Sequence, residues 1–143
     1  MNRRNIWLRV ALLYGVYVNG SVGLWASIAP QSFYDSFPGF GHVWVAIDGP
    51  YNEHLVRDVG ALGLGITILL VAAAWTLSRP LLLTAGVVMV ASALPHTLYH
   101  FRHADVYGGT ADKVASLGGL VLYTALGCYV LVAARAPRRG QER

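Results

Sequence analysis

Residues 59–77 read VGALGLGITILLVAAAWTL and residues 81–99 read LLLTAGVVMVASALPHTLY, with only Ser78-Arg79-Pro80 between them. Neither run contains an Asp, Glu, Lys or Arg. An α-helix needs about 20 predominantly apolar residues to cross the hydrocarbon core of a bilayer. Two such runs joined by a short break describe a membrane hairpin. The runs are continuous rather than alternating, and the chain is too short to close a β-barrel, so strands are excluded from them. Working outward, Ile6 to Ile28 forms a further apolar run ended by Ala29-Pro30, and Val114 to Ala134 forms a fourth. The expected fold is all-α: an integral membrane four-helix bundle with spans near 6–28, 59–77, 81–99 and 114–134. It is a single membrane domain over 1–143, with an outer aromatic loop at 30–54 and a basic tail at 135–143.

Composition agrees. Apolar residues make up 55% of the 143 and charged residues only 13%, against about a quarter charged in soluble domains. Disorder, a disulfide-stapled module and a nucleic-acid-binding domain are disfavoured on this ground. The one cysteine, Cys128, lies in an apolar run and is expected as a buried packing residue. The formal charge of +4 is explained by where the charges fall. With four spans, both termini share a side with the Ser78-Arg79-Pro80 turn. That side holds Arg3, Arg4, Arg9, Arg79, Arg135, Arg138, Arg139 and Arg143 against Glu142. The other holds Arg57, Arg102 and Lys113 against Asp35, Asp48, Glu53, Asp58, Asp105 and Asp112. An arginine excess marks the cytoplasmic face, so both termini are expected inside a multi-pass protein of the cell membrane. The Asn2-Arg3-Arg4 start resembles a secretory n-region, but the run behind it is longer than an h-region and lacks a clean cleavage triplet. It is expected to stay as a span.

Helices in lipid meet through small residues and polar links. Gly15, Asn19 and Gly23 form one stripe, Gly119, Tyr123 and Gly127 another, and Gly60, Gly63 and Gly65 open the second span. These are expected as internal packing faces, with homodimerisation through one of them as the alternative. Pro95 is expected to kink the third span near its polar end. The loop after the first span carries Phe33, Tyr34, Phe37, Phe40, Trp44 and Tyr51. Its expected place is the aromatic belt of the membrane interface, and its alternative a lid over the outer mouth of the bundle.

All five histidines and six of the seven acids fall on the outer side. His54 and Asp58 are four apart, as are Glu53 and Arg57, and His96, His100 and His103 fall at i, i+4 and i+7. The second and third spans are consecutive, so these two tracts are expected at the same depth. Imidazoles one turn apart, facing a histidine and a carboxylate, make a donor set for a divalent transition metal such as Zn, Cu or Fe. The expected ligands are His54, Asp58, His96 and His100, with Glu53, His103, Arg57 and Tyr99 as ligand-binding neighbours. His42 is read as an ordinary loop residue. Ion pairing alone, Glu53 with Arg57 and Asp58 with Arg57 or Arg102, is the structural alternative for the same residues.

Residues Ser32-Phe33-Tyr34-Asp35-Ser36-Phe37-Pro38-Gly39, the segment Gly49 to Gly60 and the Pro95-His96 to His100 element together resemble small bacterial four-span membrane proteins, DoxX-like in size and layout. The resemblance covers roughly residues 30–105. It implies the four-span fold and a polar outer signature, and a loose association with quinone or thiol redox support. An outward cysteine pair, which the thiol version needs, is missing here.

Three functions are therefore expected in order. The first is an outward-facing His/carboxylate site that binds a metal ion or a small lipid-soluble ligand, with no reaction assigned. The second is a non-catalytic accessory subunit that seats a membrane partner protein, and the third a transporter or channel. The lipid bilayer is the common partner, a homo-oligomer is a further one, and nucleic acid is not expected.

Overall fold

The computed structural model describes residues 3–136. Four long helices dominate it: α1 (Arg3–Ile28), α3 (Glu53–Thr76), α4 (Arg79–Arg102) and α5 (Thr110–Arg135). All four are long and apolar enough to cross a membrane. Between α1 and α3 lie a short helix α2 (Pro30–Ser36) and a hairpin of two-residue strands, β1 (Pro38–Gly39) and β2 (His42–Val43). A 3₁₀ turn at Ala104–Val106 separates α4 from α5. The basic tail expected at 135–143 falls almost wholly outside the described residues, and with it Arg138, Arg139, Glu142 and Arg143.

The helices are longer than the apolar runs alone required. At 1.5 Å per residue, 24 residues extend about 36 Å, more than the roughly 30 Å of a hydrocarbon core. The added turns are mostly polar. Helix α3 begins at Glu53 because the Asn52 side chain accepts a hydrogen bond from the Leu55 backbone N–H at 3.2 Å, satisfying a donor of the first turn. Helix α4 starts on Arg79-Pro80, proline standing where its missing N–H costs nothing, and continues without a break through Pro95 to Arg102.

The bundle is built as two close pairs. Helix α1 packs mainly on α3, and α4 mainly on α5, while α1 meets α5 and α3 meets α4 over smaller areas. Glycine makes the first pair close. A Cβ at Gly23 would sit 2.9 Å from the Leu64 backbone nitrogen, and one at Gly60 would overlap the Ser27 hydroxyl and come within 2.7 Å of its backbone nitrogen. Leu8, Leu12, Leu70, Met89 and Val130 fill the centre, each less than 2% exposed. Asn19 donates to the Tyr123 hydroxyl at 2.8 Å and to the Gly15 carbonyl at 2.9 Å, so its amide donors are satisfied inside the bundle.

Several expectations need correction. Gly65 and Gly119 face open space rather than a neighbouring helix, because the two close pairs use other faces of α3 and α5. Cys128 is exposed, turned away from the seam that Gly127 makes with Met89 and Val90. The aromatic loop is folded onto the bundle. Trp25, Phe33, Phe37, Trp44 and Tyr107 follow one another in mostly edge-on contacts, with centroids 4.8–6.2 Å apart. Only the hairpin tip stands clear: Phe40 is wholly exposed between Gly39 and Gly41, whose φ of 100° and 84° favour glycine.

Candidate functional site at the histidine-bearing end of the fourth helix

The end of α4 opposite the Ser78-Arg79-Pro80 turn gathers the chemistry. His96 and His100 are one turn apart, and their Nε2 atoms approach to 2.9 Å, with ring centroids 4.7 Å apart. At that distance a single proton lies between the two nitrogens, since two N–H groups pointing at each other would clash. One ring donates and the other accepts. The other nitrogen of His100, Nδ1, is 3.0 Å from the Tyr107 hydroxyl, and that hydroxyl is 2.8 Å from Ser116 Oγ. An unbroken chain of hydrogen bonds therefore runs from exposed His96 through half-buried His100 to buried Tyr107 and Ser116.

Each link of this chain can reverse. If His96 donates to His100, then His100 Nδ1–H donates to Tyr107 and Tyr107 donates to Ser116. If His100 donates to His96, its Nδ1 accepts from Tyr107 and the order inverts. The set thus has two polarities, related by a shift of protons along one line. Burial pushes the Tyr107 phenol above its ordinary range, its hydrogen bond with Ser116 pulls the other way, and the charges of Asp48 and Asp112 add to the rise. The phenol stays an intact O–H at neutral pH.

The neighbouring side chains hold this corner together. Tyr99 donates to Asp48 Oδ1 at 3.2 Å. His103 stacks on the Tyr99 ring at 4.2 Å, and its Nδ1 lies 2.9 Å from the Tyr99 carbonyl. A carbonyl only accepts, so Nδ1 carries the proton there. The loop is strapped down by Asp112, whose Oδ1 accepts from Trp44 Nε1 at 2.8 Å and pairs with His42 Nδ1 at 2.8 Å. Trp44 in turn packs edge-on against Tyr107.

The four expected metal ligands fall into two separate pairs. His54 Nε2 contacts Asp58 Oδ2 at 3.2 Å, both side chains being well exposed. His96 contacts His100 as described. No hydrogen bond or ion pair joins the pairs among the described residues, and no group of three or more His, Cys, Asp or Glu there is arranged to hold a metal ion. The reason is packing: α3 and α4 are neighbours in sequence, yet each makes its main contact with another helix. Glu53 and Arg57 form their expected ion pair at 2.8 Å. Arg57 also donates to the Ser27 carbonyl at 2.6 Å, tying the start of α3 to the end of α1. The two side chains thus form a clasp between α3 and α1 next to His54 and Asp58.

Sequence reasoning missed Tyr107, Ser116, Asp48, Trp44 and Asp112, and passed over His42. One signal was present. Tyr107 stands seven residues after His100 in a turn otherwise made of Asp, Val and Gly, where a large aromatic is out of place unless it folds back. Comparison with protein-family models, curated proteins and solved structures finds no match to this chain.

Proposed function

We propose that this chain is a multi-pass cell-membrane protein, its termini cytoplasmic, whose outer end binds a divalent transition metal through His96 and His100. The carrying observation is the convergence of two imidazole nitrogens, His96 Nε2 and His100 Nε2, at 2.9 Å on an accessible rim. Zinc–imidazole bonds of about 2.0–2.1 Å at a tetrahedral angle hold two ligand nitrogens roughly 3.3 Å apart. A few tenths of an ångström of ring rotation converts the present contact into a ligand pair. Donation from His100 Nδ1–H to the Tyr107 hydroxyl would leave the Nε2 lone pair for the ion, the usual outer support of a metal-bound histidine. The arginine excess on the opposite end supports the orientation. The DoxX-like likeness adds a layout to this reading and no reaction.

Metal analysis of detergent-purified chain after loading with Zn, Cu or Fe tests it. Wild-type protein retains metal, and His96→Ala and His100→Ala lose it at unchanged helicity. His54→Ala keeps it. Protein that stays metal-free after every loading, or His96→Ala that retains the wild-type content, sinks the reading.

A second reading draws on the reversible chain from His96 to Ser116. The same four side chains can pass a proton between the outer rim and the polar head of a lipid-soluble ligand seated against α4. Tyr107→Phe separates the two: it removes the hydroxyl and ends the relay outright, whereas metal binding through the two Nε2 atoms is weakened and not abolished.

A further inference from the structure

The apolar core shared by all four long helices fills only the half of the bundle nearer the Ser78-Arg79-Pro80 turn. It runs from Leu8 of α1, Leu70 of α3, Leu82 of α4 and Val130 of α5 as far as Ala93 and Tyr123. Toward the histidine-bearing end the next cluster, Ala26, Phe33 and Val56, belongs to α1, α2 and α3 alone. Beyond Ala93 on α4 and before Tyr123 on α5, the buried residues are Thr97 and Ser116. The two helix pairs thus share no apolar filling there. Hydrogen bonds join them at two levels, Asn19 with Tyr123 below, and the loop's Asp48 with Tyr99 and Trp44 with Asp112 above. Between these levels none crosses among the described residues.

Ser92, His96 and His100 fall at i, i+4 and i+8 and line this gap along α4. Ser92 is a hydrogen-bond partner of the Tyr123 hydroxyl and His100 reaches Tyr107, so the stripe is turned into the bundle. Ser92 and His96 are nevertheless exposed, so the space before them is not filled by protein. From Ser92 to Tyr99 the helix rises about 10 Å, room for the polar head of a lipid molecule.

The directions of the hydrogen bonds at the floor of the gap decide what fits. Asn19 commits both amide protons, one to the Gly15 carbonyl and one to the Tyr123 hydroxyl. Tyr123 keeps its own proton for Ser92, whose proton goes to the Val88 carbonyl at 2.8 Å. Each donor of the three is used. What stays open is acceptor capacity, above all Asn19 Oδ1, which has no protein partner among the described residues. Residues 10–28, 59–76, 80–101 and 114–134 contain no Asp, Glu, Lys or Arg, so a phosphate or ammonium head would lie here without a counter-charge, at high cost.

We infer that this gap seats a neutral lipid with a hydroxyl head, its O–H donating to Asn19 Oδ1 beside Tyr123 and Ser92, and its hydrocarbon leaving between α3 and α4. Those two helices share only a small contact, so a chain passes between them without opening a packed seam. The inference rests on the lipid-soluble ligand of the second reading above, and adds its seat and its chemical class. The metal reading stands apart from it.

The test uses the full chain in detergent and a diazirine-bearing long-chain alcohol as the probe, with labelled residues mapped by mass spectrometry. Saturable label is expected on residues 19–22 of α1 and 92–96 of α4. The methyl ether of the same probe cannot donate, and should label these positions about tenfold less at equal concentration, the loss of one hydrogen bond. Ser92→Leu fills the gap and abolishes the label at unchanged helicity, whereas Leu98→Ala, at an exposed position off the stripe, retains it. Equal labelling by alcohol and ether overturns the inference. Saturable label on α4 that survives Ser92→Leu also overturns it, and leaves the second reading its ligand. Absence of saturable label from all of α4 overturns both, and the zinc analysis decides the metal reading in every case.

Discussion

Tyr107 links the loop between α1 and α3 to the histidine pair. Its ring takes the edge of Trp44 while its hydroxyl meets both His100 Nδ1 and Ser116 Oγ. Removing that hydroxyl should leave the rings of His96 and His100 in place and free His100 to rotate. Tyr107→Phe is therefore expected to weaken metal binding by about 10–100-fold, the usual cost of losing such an outer partner, at unchanged helicity. A zinc titration of the variant beside wild type measures it. Equal affinities would mean that His100 is oriented by something other than this hydrogen bond. At this scale the sequence was a partial guide. The i, i+4 spacing of His96 and His100 showed that they share a face, since helical geometry is local. That Tyr107 folds back onto them depends on the 3₁₀ turn at Ala104–Val106 and on Trp44, residues far apart along the chain.

Between helices, the contact that decides the architecture is α1 against α3. Gly60 and Gly23 bring the two backbones together, and a side chain at Gly60 would strike Ser27. Gly60→Ala should destabilise the bundle by about 1–3 kcal/mol through overpacking. Gly65→Ala, with nothing within 4 Å of its added carbon, should be neutral or slightly stabilising through helix propensity. Thermal unfolding in detergent compares the two; similar losses for both would show that the seam does not discriminate between them. Small residues at helical spacing were visible in the sequence, and Gly15, Gly23, Gly60, Gly63 and Gly127 do pack against neighbours. Gly119 has the same spacing, four residues before Tyr123, and Gly65 follows Gly63 by two, yet neither has a neighbour. A glycine stripe marks a face that could admit a helix, and only the choice of partner says which face is used.

Across the whole molecule, the charges separate by end. The described residues of the end bearing Arg3, Arg4, Arg9, Arg79 and Arg135 include no acid, while Asp35, Asp48, Glu53, Asp58, Asp105 and Asp112 lie at the other. Such a distribution orients a membrane protein, and single cysteines test it in intact cells. In a Cys128→Ser background, Phe40→Cys at the fully exposed hairpin tip should react with a membrane-impermeant maleimide, and Ser78→Cys should react only after permeabilisation. The reverse pattern would place the histidine cluster in the cytoplasm.

What the sequence determined by itself was the set of four long apolar helices, their order and the separation of charge between their ends. These follow from run length, composition and loop charge, which are properties of neighbouring residues. Only the tertiary structure decided which side chains meet at the acidic, histidine-bearing end. Helix α3 turned its main face to α1, and α4 its main face to α5, so His54 met Asp58 while His96 met His100 and Tyr107. The physical reason is that a side chain's partners are chosen by close packing between distant segments. A hairpin in the sequence sets the depth of its two arms and leaves their facing surfaces to that packing.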